Sequence, residues 1–275
     1  MAAVDVSIAS MPTFRAADGT DLAFSVQGEG EPLVCIPGGP MRASRYLGTL
    51  GGLSAGRQLI MLDLRGTGGS AAPADPASYR CDRMTSDVGD LLDRLGQDTV
   101  DLLGHSAGAN IAVQFAARQP RRISKLILIT PSGRAVGQEP DSDTRRAVIG
   151  LRQAEPWFGA AAAAFDRIDA GAGTEEDWDA IAPFCYGRWD AIAQAHHAAA
   201  ETEVNEDAAE AFGADGAFNP PALRAALADF VAPVLLLAGG VDLQRPPATV
   251  AEYVRLFPVA PFVVQPDAGH LSLAR

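Results

Sequence analysis

At 275 residues with 48% hydrophobic content, the chain has room for one large domain, or a domain with an insertion, around a sizeable buried core. A formal charge of −12 and a pI near 4.7 leave no basic face, so no nucleic-acid partner is expected. No apolar run approaches the length of about 18 residues that a membrane span needs, and residues 1–11 carry Asp5 without a basic stretch, so neither a span nor a signal peptide is expected.

Thr13-Phe14-Arg15 and residues 22–26 flank Asp18-Gly19, a hairpin signal. Residues 32–37 form a short apolar run stopped by Gly38-Gly39-Pro40, which predicts a buried strand followed by a loop. A helix is predicted over residues 42–53 and a buried strand over 58–62, followed by the loop Asp63-Leu64-Arg65-Gly66-Thr67-Gly68-Gly69-Ser70. Met84, Val88, Leu91, Leu92 and Leu95 recur at helical spacing within residues 80–95. A strand over 100–103, a helix over 109–118 and a strand over 123–130 follow. Apolar, non-alternating strands separated by helices predict an α/β fold with a mostly parallel sheet covered on both faces. The cysteines Cys35, Cys81 and Cys185 are odd in number and lack metal-ligand spacing, so a reduced, cytoplasmic protein without bound metal is expected.

The pattern breaks after Pro131-Ser132-Gly133. Residues 135–230 hold no convincing strand and read as several short helices. Strand language resumes at 231–238, with a helix over 248–257 and a last strand over 262–265. Residues 135–230 carry 18 Asp and Glu against 6 Arg, a balance of −12 that equals the charge of the entire chain. A solvated outer face is the first reading. A lid whose inner carboxylates attract an amine is the second, with Glu201, Glu203 and Glu206 as candidates. The segment also holds Trp157, Phe158, Phe165, Trp178, Phe184, Tyr186 and Trp189. These could shape an apolar pocket, with Trp157, Phe158, Tyr186 and Trp189 the chosen candidates, or form the core of the insertion.

Gly104-His105-Ser106-Ala107-Gly108 lies where a predicted strand meets a predicted helix. A serine hydroxyl becomes a useful nucleophile when it is exposed, beside a base, with donors aimed at the developing oxyanion. A sharp strand-to-helix turn supplies the exposure, and the helix N-terminus favours negative charge there. Ser106 is therefore the candidate nucleophile, and it needs a base and an orienting carboxylate.

Of four histidines, His105 is directed away from Ser106 by its place in the turn, and His196 and His197 fall mid-helix in the insertion. His270 directly follows the last strand, on the edge where a parallel sheet gathers its strand C-termini, and is the expected base. Asp242, past the strand that ends near Ala238, is the expected acid, giving the chain order Ser, Asp, His. Asp63 competes, but its Asp-x-Arg-Gly setting reads as a turn network. The Ala107 amide is one expected oxyanion donor. Gly39 is the other, ahead of Gly38, because Pro37 and Pro40 have no N–H.

With these residues placed, the sequence resembles the α/β-hydrolase superfamily over nearly the whole core, through the Gly-Gly-Pro loop, the Asp-x-Arg-Gly loop, the Gly-His-Ser-x-Gly elbow, Gly-x-x-Asp and Gly-His. The resemblance implies a hydrolase core at residues 1–134 and 231–275 with a helical cap at 135–230. The Gly38-Gly39-Pro40 and Asp63–Ser70 loops are also similar to those of proline iminopeptidases, whose cap carboxylates hold a substrate's amino terminus. Three features depart from that narrower pattern. Pro37 replaces a histidine, Met41 replaces a glycine, and His105 and Ala107 flank the serine in place of Gly and Trp. The superfamily normally has a closing helix after its histidine; here the sequence stops at Arg275, so either that helix is not included or something else covers the sheet face.

The implied activity is hydrolysis of a small ester or amide through an acyl-enzyme on Ser106, His270 and Asp242, with a small-molecule substrate, no metal and no organic cofactor. Carbon–carbon bond hydrolysis, a biosynthetic cyclisation, a haloperoxidase-like activity and a non-catalytic ligand receptor are alternatives on the same scaffold.

Overall fold

The computed structural model describes residues 11–271. The readings made on residues 1–10 and on the end of the chain at 272–275 lie outside the described residues. Eight strands form one sheet: β1 (Thr13–Arg15), β2 (Asp21–Gln27), β3 (Pro32–Ile36), β4 (Gln58–Leu62), β5 (Val100–His105), β6 (Ile123–Ile129), β7 (Val234–Gly239) and β8 (Phe262–Gln265). Their order is β1-β2-β4-β3-β5-β6-β7-β8. The β1–β2 and β2–β4 pairs are antiparallel, and every other pair is parallel. The strand C-termini of β3 to β8 therefore share one edge, where ligands of such sheets bind.

β5 lies centrally and all six of its residues are buried, because both faces are covered. On one face Val34, Ile36, Leu102, Leu126 and Leu236 pack beneath α1 (Cys81–Arg94), α2 (Gly108–Arg118) and α10 (Pro247–Val254), through Met84, Val88, Val113, Phe115 and Tyr253. Each such aliphatic side chain contributes roughly 1.5–3 kcal/mol by leaving water. Among the described residues the other face is covered more thinly. The helix predicted over residues 42–53 is absent, replaced by 3-10 turns at Ser44–Leu47 and Leu53–Ala55. Left-handed backbone at Gly48, Leu50, Gly51 and Gly52 forbids a continuous helix there. Tyr46, Leu47 and Leu50 still cover Leu33, Cys35, Leu59 and Met61. Toward the β8 edge, Ile127, Leu235 and Leu237 are only half-buried and Val263 is exposed.

Between β6 and β7 run seven helices: α3 (Ser142–Ile149), α4 (Phe158–Asp169), α5 (Glu175–Ala180), α6 (Ala191–Ala198), α7 (Ala200–Glu203), α8 (Glu206–Phe212) and α9 (Pro220–Ala228). Five of them begin at residues whose side-chain oxygen accepts from the N–H three positions on: Asp141, Thr174, Asp190, Asn205 and Asn219. Part of the acidic excess is therefore helix-start chemistry. Another part is ion-paired, with Asp166 and Asp169 on Arg146 and Asp177 on Arg167. α8 and α9 fall inside the expected cap span but share the main core through Ala208, Phe212, Leu223 and Leu227. α4 has a separate small core, where Ala161 and Phe165 meet Phe184 and Leu243. Among the described residues no helix is long and apolar enough to cross a membrane.

Candidate active site

Ser106 occupies the turn between β5 and α2 with φ 51°, a left-handed conformation that a non-glycine residue adopts at a cost of about 1–2 kcal/mol. The turn is held from one side by the Ser106 N–H on the Ile129 carbonyl (3.0 Å) and the Ser132 N–H on the Ser106 carbonyl (2.9 Å). Its two glycines are sterically required. A Cβ at Gly104 would lie 2.7 Å from Ala109 Cα, and one at Gly108 would lie 2.3 Å from the Pro37 carbonyl oxygen.

Three side chains from separate strand ends converge here. His270 Nε2 lies 2.7 Å from Ser106 Oγ, and His270 Nδ1 lies 2.9 Å from Asp242 Oδ2. Asp242 is fully buried, and its other oxygen accepts the backbone N–H groups of Gln244 (2.8 Å) and Arg245 (2.9 Å). A buried carboxylate accepting two amides on one oxygen takes the Nδ1 proton on the other. This leaves the Nε2 lone pair facing the serine hydroxyl.

A second hydrogen-bond chain braces the site from beneath. The Gly38 N–H donates to the Tyr46 hydroxyl oxygen (2.6 Å), so the Tyr46 proton goes to His105 Nδ1 (2.6 Å). His105 Nε2–H then donates to the His270 carbonyl (3.0 Å). This tautomer is neutral. Burial pushes the His105 pKa down to about 3, and the neighbouring His270 pushes in the same direction. The chain links the loop after β3 to the loop that carries His270. It also occupies the Gly38 amide, whereas the Gly39 and Ala107 amides have no hydrogen-bond partner among the described residues.

Asp63 is held elsewhere. Its carboxylate accepts from the Ser44 and Gly69 amides (2.8 and 2.9 Å), which closes the loop after β4. Met41, where the resemblance would put glycine, has φ 60° and is fully buried. It begins the segment that clasps the insertion to the core. The Asn205 N–H donates to the Met41 carbonyl, the Ala43 N–H donates to the Glu203 carbonyl, and Arg42 bridges to Val204.

Above Ser106 lies a cavity of about 720 Å³. Gly39, Ser106, Leu243 and His270 line its floor, and Phe165, Ile168, Trp178 and Ile181 line its walls from the insertion. The aromatic residues expected there are mostly placed elsewhere. Trp157 and Phe158 pack edge-on against Phe184 (5.0 and 6.4 Å between centroids), inside the small core of the insertion. Tyr186 is buried with its hydroxyl on His196 Nδ1 (2.8 Å), and Trp189 packs against the Tyr186 ring. Glu203 is also buried away from the cavity, with one oxygen on Arg42 Nε (2.7 Å) and the other on Arg45 Nε (2.6 Å). Glu201 and Glu206 are exposed and do not line the cavity either. Phe165 and Ile168, at i and i+3 of α4, are the wall pair whose spacing was readable.

Comparison with known proteins agrees with this architecture. A proline iminopeptidase of Heyndrickxia coagulans is 31% identical over 108 residues, covering 39% of this chain and 38% of that protein. Epoxide hydrolase 4 of Mus musculus is 44% identical over 72 residues, covering 26% of this chain and 20% of that protein. The chain thus spans well under half the length of these curated relatives. Among solved structures, a proline iminopeptidase of Mycobacterium smegmatis superposes with a TM-score of 0.71 at 24% identity, covering 95% of this chain and 92% of the other. An esterase of Exiguobacterium antarcticum does so with a TM-score of 0.68 at 20% identity, covering 94% and 92%. At those identities the likeness is one of fold. Residues 31–274 match the family described as alpha/beta hydrolase fold, and the chain belongs to that family.

Proposed function

We propose that this protein is a serine hydrolase that cleaves a small ester through an acyl-enzyme on Ser106. The observation that carries the reading is the unbroken contact chain Ser106–His270–Asp242 at the floor of a roofed cavity. Ser106 Oγ attacks the substrate carbonyl as its proton passes to His270 Nε2. The Nδ1 proton stays on His270, where Asp242 stabilises the imidazolium. The Gly39 and Ala107 amides, free of other partners, receive the oxyanion; each such donor is worth roughly 100- to 1000-fold in rate. His270 returns the proton to the leaving alkoxide. A water then repeats the sequence on the acyl-enzyme, and the acid is released.

An ester is favoured over an amino-terminal peptide bond because, among the described residues, no carboxylate lines the cavity for an ammonium group. Glu203, the best-placed candidate, already has both oxygens on arginines. In this reading the helices over residues 135–230 roof the site and select the substrate.

The test uses p-nitrophenyl butyrate and a fluorophosphonate probe. Wild-type protein turns over the ester and is labelled on Ser106. Ser106→Ala, folded by circular dichroism, loses both properties, and Asp242→Asn loses about 10⁴ in kcat. Turnover by Ser106→Ala at the wild-type rate overturns the assignment.

A further inference from the structure

The chain carries a net −12, and its insertion supplies that excess, yet no aspartate or glutamate lines the cavity among the described residues. Four arginines do: Arg42, Arg134, Arg145 and Arg245. Two of them are ion-paired from outside the cavity. Arg42 is held by Glu203, and Arg245 by Glu139 (2.8 and 3.2 Å) with a further bond to Ser132 Oγ (3.2 Å). The other two have no carboxylate within ion-pair distance among the described residues. Arg134 is exposed, at the cavity's edge, with its guanidinium over the Phe218 ring at 5.6 Å. Arg145, on α3, is half-buried. Two carboxylates that feel the Arg145 charge, Asp141 and Asp169, have partners of their own: Asp141 caps α3, and Asp169 is bound to Arg146.

We infer that this cavity takes an ester whose far end bears a carboxylate, which Arg145 binds with help from Arg134. The inference rests on the serine-hydrolase reading and adds the substrate's charge to it. The half-buried guanidinium of Arg145, in a cavity that Phe165, Ile168 and Trp178 also line, is less screened than one in water. Its planar fork matches a carboxylate through two parallel hydrogen bonds. The chain's net negative charge acts against this preference rather than for it. It repels anions at long range, so a preference for the anionic ester has to come from contact with the arginines inside the cavity. The absence of any acidic wall residue makes a cationic substrate the disfavoured class.

The experiment compares kcat/KM for mono-p-nitrophenyl adipate and p-nitrophenyl 6-methylheptanoate, which match in shape and differ by one charge. Wild-type protein should prefer the adipate by about tenfold, the scale of one charge-assisted contact. Arg145→Ala should erase that preference, Arg145→Lys should restore part of it, and Arg134→Ala should reduce it less. The ratio of the two esters is decisive, because a merely structural arginine lowers both together. A wild-type preference for the uncharged ester, or an unchanged ratio in Arg145→Ala, overturns the inference. Calorimetric binding of monomethyl adipate to the Ser106→Ala protein gives a readout without turnover. Binding weakened about tenfold by adding Arg145→Ala supports the anion site even if neither ester is hydrolysed, an outcome that would count against the hydrolase reading alone. Equal binding with and without Arg145 overturns the site itself.

Discussion

Replacing Tyr46 by Phe removes one oxygen and two hydrogen bonds. The ring itself stays, 6% exposed, against His105, His196 and the Arg42 guanidinium. What disappears is the acceptor for the Gly38 N–H and the donor to His105 Nδ1, both at 2.6 Å. Each buried partner left unpaired costs about 1–3 kcal/mol, so two cost about 2–6 kcal/mol before relaxation. Phenylalanine recovers about 1 kcal/mol by not burying a hydroxyl. Tyr46 also lines the cavity, so a water can enter and serve one of the two orphans. The expected loss is therefore about 1–5 kcal/mol, toward the low end where a water enters, read from urea unfolding followed by circular dichroism. A matching loss in kcat is expected, because the chain connects the Gly38-Gly39 loop to the His270 carbonyl. The Tyr46→Phe and His105→Gln losses should also be non-additive, since both break the same chain. An unfolding free energy within about 0.5 kcal/mol of wild type would refute the claim that this hydroxyl braces the site.

Gly108→Ala should fold poorly or lose about 100-fold in kcat/KM on p-nitrophenyl butyrate, because its Cβ falls 2.3 Å from the Pro37 carbonyl and moves the loop that carries Gly39; wild-type kinetics would contradict this. Met41→Gly sets two effects against each other. Relief of a left-handed residue returns about 1–2 kcal/mol, while loss of a fully buried methionine costs about 2–5 kcal/mol, so a net destabilisation and a lower Tm are expected. His105 makes stability pH-dependent. Its pKa is about 3 when folded and near 6.5 when unfolded, so between these values the unfolded chain binds the extra proton and stability rises with pH. Going from pH 7 to pH 5 should cost about 2 kcal/mol from this group, measured by urea midpoints. His105→Gln should remove that share, and an unchanged pH slope in the variant would refute it.

The parts of this molecule that were legible from sequence are those fixed by local chemistry. β3, β4 and β8 are short apolar runs bounded by Pro, Gly or polar residues, and they form where the pattern put them. The elbow was legible because Gly104 and Gly108 are required by contacts a few residues away in the chain or directly across the neighbouring strand. The meeting of positions 106, 242 and 270 followed from one topological fact, that parallel strands end on one edge. The helix expected over residues 42–53 failed because Gly48, Gly51 and Gly52 outweigh the apolar spacing of Tyr46, Leu47 and Leu50. The cavity walls were not legible for a different reason. Which face of a short helix in the insertion turns inward depends on how seven helices pack against one another, and residue type does not encode that. Trp157 and Trp178 are chemically equal in the sequence, yet Trp157 packs on Phe184 while Trp178 lines the cavity and is more than half exposed. Charge behaves in the same way. The sum over residues 135–230 is strongly negative, but helix starts, Arg146, Arg167 and the Arg42–Glu203–Arg45 clasp hold much of that charge away from the floor. The charged side chains that line the cavity among the described residues are therefore arginines, opposite in sign to the chain as a whole, with the Asp242 carboxylate behind His270.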